Sequence, residues 1–144
     1  MDKYIIELIK EAKKSLKSND VPVAALIVEN NKIIAKGHNK KEKTNIITKH
    51  AEIIALEKAC KKKKSWHLDG CTIYITMEPC LMCMGAITQS RIDKIFYLVA
   101  NNKYELIEKD RINKMNIKKV QIENEIYQQQ IQKLLKNFFD EKRK

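Results

Sequence analysis

Apolar residues at Ile5, Leu8, Ile9, Ala12 and Leu16 are spaced by Lys3, Lys10, Lys13 and Lys14, so Met1 to Leu16 predicts an amphipathic helix. The polar triplet Ser18-Asn19-Asp20 breaks that spacing. Val21 to Val28 is then a nearly continuous β-branched and aliphatic run, the pattern of a strand covered on both faces. Asn30 and Asn31 predict a tight hairpin turn, because Asn tolerates the positive φ such turns require, and Ile33 to Lys36 should return antiparallel. Lys40 to Ile47 reads as a polar, basic loop, and Thr48 as the N-cap of a helix with an apolar stripe at Ile54, Ala55 and Ala59. The basic run Lys61 to Lys64 closes that helix, where cations suit the negative end of the dipole.

Further strands are expected at Cys71 to Met77, where Ile73 and Ile75 alternate with Tyr74 and Thr76, at Lys94 to Ala100, and more weakly at Ile117 to Ile122. Pro79 stands where a helix begins, Leu106 to Arg111 reads as a short helix, and a last helix runs from about Asn124. Its inward face carries Tyr127, Ile131, Leu134, Leu135 and Phe138. Strands separated by helices predict an α/β fold, a mixed sheet with helices on both faces. Sites on such sheets lie beyond the carboxyl ends of the strands, where helices begin.

Composition narrows the classes. At 144 residues and 44% apolar, residues 1–144 fit a single domain with a core of its own. No signal-peptide pattern and no apolar stretch of membrane-crossing length is present, so the expectation is a cytoplasmic protein with no membrane partner. The formal charge of +11 is large for one domain and fits a polyanion partner, nucleic acid being the commonest. A bias towards Lys, Asn and Ile accounts for the charge equally well. Of four cysteines, Cys60 and Cys71 read as buried free thiols.

The remaining two carry the candidate chemistry. Cys80 and Cys83 lie three apart at a helix start, and His50 stands at another, which makes three borderline-soft donors of the number a catalytic zinc takes. A metal there would lower the pKa of a bound water towards ~7. Glu52, two residues after His50, is left to carry protons rather than to coordinate, although taken alone it reads equally as an exposed helix carboxylate.

The segments His50-Ala51-Glu52 and Pro79-Cys80-Leu81-Met82-Cys83 resemble the signature of the zinc-dependent nucleobase deaminases. Asp20-Val21-Pro22-Val23-Ala24-Ala25, Gly37-His38-Asn39, Met84-Gly85-Ala86-Ile87, Ser90-Arg91-Ile92 and Phe138-Phe139 extend the resemblance, most closely to bacterial tRNA adenosine deaminases. The resemblance implies a cytidine-deaminase-like three-layer α/β/α sandwich with a five-stranded mixed sheet. It also implies hydrolytic conversion of the wobble adenosine to inosine in a tRNA anticodon arm. His50, Cys80 and Cys83 would hold one Zn²⁺ per subunit and Glu52 would shuttle protons, while Asn39, Val21, Pro22, Ala51 and Asn101 would meet the substrate. Taken alone, Asn39 is as readily a turn residue after Gly37. A homodimer is implied, as is contact of the tail Lys142, Arg143 and Lys144 with the RNA backbone.

One departure stands out. Where the family usually reads Ala-Arg-Asp-Ala-Lys followed by Gly, this chain has Val99-Ala100-Asn101-Asn102-Lys103 and Tyr104. The lost negative charge at Asn101 is expected to relax dependence on the ribose 2′-OH and to permit action on single-stranded DNA. Two other readings use the same residues: a deaminase of a free base such as guanine, and a non-catalytic, zinc-stabilised RNA-binding subunit. A basic surface argues against the first, and Glu52 against the second.

Overall fold

The structure is a computed structural model that describes residues 1–103 and 106–142. Helix α1 (Asp2–Lys13) leads through a 3₁₀ turn to strand β1 (Ala24–Glu29) and hairpin strand β2 (Lys32–His38). A short helix α2 (Lys41–Thr44) precedes α3 (Ala51–Lys63), and β3 (Thr72–Met77) follows. Then come α4 (Leu81–Gln89), β4 (Lys94–Val99), α5 (Leu106–Asn113), β5 (Lys118–Gln121) and α6 (Glu125–Lys142). The sheet order is β2-β1-β3-β4-β5. β1 is antiparallel to both neighbours, whereas β3, β4 and β5 run parallel. The expected mixed five-stranded sheet is therefore present.

Alternation along β1 makes the three layers. Ala25 and Ile27 join Ala51, Ala55, Ala59, Ile73, Ile75, Met84 and Ile87 in a core beneath α3 and α4. Ala24, Leu26 and Val28 join Ile5, Leu8, Tyr74, Leu98 and Ile131 in a second core beneath α1 and α6. Both faces of the strand are thus buried, which is why its sequence shows no polar alternation. The Asn30-Asn31 turn forms as expected, with φ of 51° and 63°.

Five local expectations change. Val21 to Val23 precede the first strand, because the Val23 N–H donates back to the Val21 carbonyl at 2.8 Å and Pro22 has no N–H for a ladder. Leu16 is 40% exposed, since the 3₁₀ turn rotates Ser15 inward in its place. Within the predicted basic loop, α2 forms because the buried Asp20 carboxylate accepts from the Glu42 and Lys43 N–H groups at 2.6 and 3.2 Å. Thr48 does not cap α3. His50 itself is the N-cap, and the Thr48 carbonyl accepts from the His50 N–H at 2.8 Å. Of the two thiols expected to be buried, Cys71 is and Cys60 is half-buried.

Gly37 sets how closely β2 approaches α3. A Cβ there would lie 2.5 Å from the Ala51 carbonyl oxygen and 2.8 Å from the Ala55 nitrogen, both backbone atoms of α3. Gly37→Ala is expected to destabilise by about 3 kcal/mol, the upper end of overpacking penalties, because backbone cannot yield as a side chain would. Urea unfolding of the two proteins checks it, and equal midpoints would show that α3 floats free of the strand.

Candidate active site

Three helix and strand ends converge at the carboxyl end of β3. His50 is the N-cap of α3, Cys80 the N-cap of α4, and Cys83 lies in the first turn of α4. The extended backbone at His50 (φ −78°, ψ 154°) and at Cys80 (φ −72°, ψ 173°) turns each side chain out of its helix. Both therefore project into the gap between the two helix starts. His50 Nδ1 lies 3.8 Å from Cys80 Sγ and 3.6 Å from Cys83 Sγ, and all three donor atoms fall within 4.8 Å of one another. Three such donors could share one metal ion, and among the described residues no other group of His, Cys, Asp and Glu does so.

Proton affinities inside the cluster are strongly perturbed. The Cys80 thiol is pulled down to about 4, first by the hydrogen bond from Cys83 and, against the opposing effect of burial, by that from His50. Cys83 moves the other way: its proton is held by the bond to Cys80, and burial and the nearby Glu52 charge hold it further. His50 is raised above its ordinary value of 6.5, chiefly through its bond to Cys80. A cation entering the cluster takes over the position of these shared protons, so its uptake releases them.

Glu52 occupies the first turn of α3 and is only 3% exposed, which excludes the helix-surface reading. Its Oε1 has no hydrogen-bond partner, and burial pushes its carboxyl well above the usual range. A buried, unpaired carboxylate oxygen is rare in a folded chain and marks a place where something other than the protein is met.

The rim is built from residues distant in sequence. The Asn39 N–H donates to the Val23 carbonyl at 3.1 Å, which brings the end of β2 against Val21 and Pro22. Asn39 Oδ1 accepts from the Ala51 N–H at 2.8 Å and so caps α3 from twelve residues upstream. Ala51 itself is fully buried. Ser15 Oγ donates to the Asn39 carbonyl at 2.9 Å, and the Asn101 N–H donates to Glu78 Oε1 at 3.2 Å. Asp20 reads from the sequence as a helix breaker and part of a resembling segment but not as a cap, and Ser15 and Glu78 are given no role there. Asp20 and Glu78, the latter placed directly before Pro79 and Cys80, carried a positional signal, and Ser15 carried none. Lys142 is exposed at the end of α6, its Nζ 5.5 Å from the Phe138 ring centre. Arg143, Lys144 and Tyr104 lie outside the described residues.

Behind the rim, His38 Nδ1 donates to the buried Glu11 carboxylate at 2.6 Å. Burial holds His38 below 6.5 despite that partner. Burial also raises the Glu11 carboxyl, but bonds from His38 and Lys14 outweigh it and leave the carboxyl below 4.5. Both folded-state values are depressed, so both groups stabilise the protein above their unfolded values and lose that contribution as pH falls. Stability is expected to decline from about pH 6.5 downward as unfolded His38 takes a proton, and again below about 4.5 as Glu11 does. Urea midpoints across pH 4–8 for the protein and for His38→Gln check this, the variant losing the upper step.

A five-stranded mixed sheet between helix layers, with its reactive side chains at two facing helix starts, defines the cytidine-deaminase-like α/β class. The chain belongs to the MafB19-like deaminase family, which matches residues 1–143, and is a deaminase. It is 34% identical over 148 aligned positions to the tRNA-specific adenosine deaminase of Bacillus subtilis (strain 168), spanning 98% of this chain and 89% of that one. A solved structure from studies of A-to-I editing by tRNA:A34 deaminases superposes with a TM-score of 0.79 at 27% identity, covering 90% of this chain and 99% of the other. Guanine deaminase from Bacillus subtilis superposes with a TM-score of 0.65 at 35% identity, covering 69% and 64%. No helix among the described residues is long and apolar enough to cross a membrane.

Proposed function

We propose that residues 1–144 act as one deaminase domain that converts adenosine to inosine at the wobble position of a tRNA anticodon. In this reading one Zn²⁺ per subunit is held by His50 Nδ1, Cys80 Sγ and Cys83 Sγ. The carrying observation is the meeting of these three donors with the orphaned Oε1 of Glu52. Their spacing fits the ion: tetrahedral zinc with the usual bond lengths separates nitrogen from sulfur by about 3.5 Å, against 3.6 and 3.8 Å here. Bound there, the ion would polarise a water molecule and lower its pKa towards neutrality.

This chain's own residues supply the rest. Glu52 takes the proton from water and passes it to the amino nitrogen as oxygen adds at C6 and ammonia leaves. Burial raises its proton affinity, which helps it hold the proton between the two transfers. With Oδ1 committed to Ala51, Asn39 offers its NH₂ to an acceptor on the base, and Val21, Pro22 and Ala51 bound the pocket.

Two features support a nucleic-acid substrate. The loop carrying Asn101 is tied to the end of α6, with Lys103 Nζ 4.5 Å from the Phe139 ring centre, so two basic side chains, Lys103 and Lys142, lie at that end of the helix. Asn101 is uncharged, and its Oδ1 accepts from the Lys103 N–H at 3.1 Å. Activity on single-stranded DNA follows, and Asn101→Asp should weaken it while sparing tRNA. An apolar groove of about 920 Å³ between α3 and α4, lined by Ile53, Leu56, Trp66, Leu81 and Met82, supports a homodimer at this face. A cytoplasmic location follows from tRNA as substrate.

The test is incubation with an anticodon-arm RNA, with free guanine and with cytidine, read by mass for the one-dalton gain of amine-to-carbonyl exchange. Product on the RNA alone supports the proposal. Product on guanine alone favours the second reading, which rests on the likeness to guanine deaminase.

A further inference from the structure

A second concavity of about 350 Å³ lies on the sheet edge, away from the metal-type cluster. Its floor is Ile33, Ile34 and Ala35 of the edge strand β2, and its walls carry Lys14, Lys36, Lys58 and Lys62. The acidic side chains here are already used. Glu11 is held by His38 and Lys14, and Glu7 by Lys36. Among the described residues Lys58 Nζ donates only to the Lys36 carbonyl, at 3.1 Å, and Lys62 forms no ion pair.

The same charge continues to the mouth of the site. Lys40 follows Asn39 directly, and its proton affinity is lowered first by burial and then by repulsion from Lys58 and Lys43. Repulsion among amines is relieved when an anion sits between them. Because α3 starts at His50 and runs outward over β2, Lys58 and Lys62 on its outer side extend a basic track from the pocket rim along the sheet edge.

We propose that this groove is a phosphate track for RNA, in which Lys58 and Lys62, with Lys40 at its inner end, hold the backbone of the strand leading away from the target nucleotide. It rests on the tRNA reading and adds to it a surface on a different side of α3 from the apolar α3–α4 groove. Phosphate is the fitting chemistry because four lysines line the groove around an apolar floor, and no aromatic side chain lines it to stack a base.

The experiment measures binding of an anticodon-arm RNA from 0.1 to 1 M salt, with inosine formation read separately. Each lost phosphate contact reduces the salt slope by about 0.7. Lys58→Gln with Lys62→Gln should therefore flatten it by about 1.4, weakening binding about 25-fold at 0.1 M relative to 1 M, with kcat at saturating RNA unchanged. Lys58→Arg with Lys62→Arg should bind as the parent does, which separates lost charge from lost folding. Lys3→Gln with Lys32→Gln, the same charge removed at the hairpin end, should keep the parent slope. An unchanged slope in the first variant overturns the track while inosine formation leaves the tRNA reading standing. RNA binding absent from the parent protein overturns both.

Discussion

Glu52→Gln is expected to lower deamination by about 10²- to 10⁴-fold, the range that a positioned acid–base group contributes. Metal content should not change. Gln keeps the size of the side chain and one acceptor oxygen, so the packing of a residue 3% exposed is preserved while the exchangeable proton is lost. Nothing nearby can substitute, because the neighbouring imidazole and thiols are tied to one another. Stability should change little, since the amide puts another buried polar atom where the carboxyl oxygen had no partner. Inosine yield, zinc per chain and urea midpoints on one preparation test all three. Near-parental turnover would remove Glu52 from the chemistry, and loss of metal would make it a ligand.

Removing the ion should have the second largest effect. A ligand that binds the folded chain at a thousandfold excess over its dissociation constant stabilises by about 4 kcal/mol. Chelation is therefore expected to lower Tm by about 10 °C or more. Cys80→Ser should reproduce that fall without chelator and release the metal, because the serine hydroxyl does not supply the thiolate that Cys80 presents. Cys60→Ser, altering a thiol outside the cluster, should retain the ion. Elemental analysis beside scanning calorimetry decides the matter: a Cys80→Ser protein with parental metal content would move the site elsewhere.

How far the sequence carried is clearest at single residues. The Asn30-Asn31 turn, the apolar β1 and the donors His50, Cys80 and Cys83 were legible because each depends on chemistry within a few positions. Thr48 misled because a hydroxyl before a helix is the ordinary local cap, whereas α3 is capped by Asn39 across the top of the sheet. Helix α2 went unseen for the same reason, since its short polar sequence is held by Asp20 about twenty residues earlier. Leu16 continued a helical stripe that the chain abandons at the 3₁₀ turn. Capping by remote side chains leaves no periodic trace, and the rim of this site is made of it.

The cluster is fixed by where two helices leave a packed sheet, whereas Asn39, Lys40 and the loop of Asn101 belong to the strand ends and loops around it. Reactivity and recognition are thus housed in different parts of the molecule. Changes to the borders can redirect the enzyme towards another base or another strand while the machinery beneath stays in tune, and selection can retune the one without rebuilding the other.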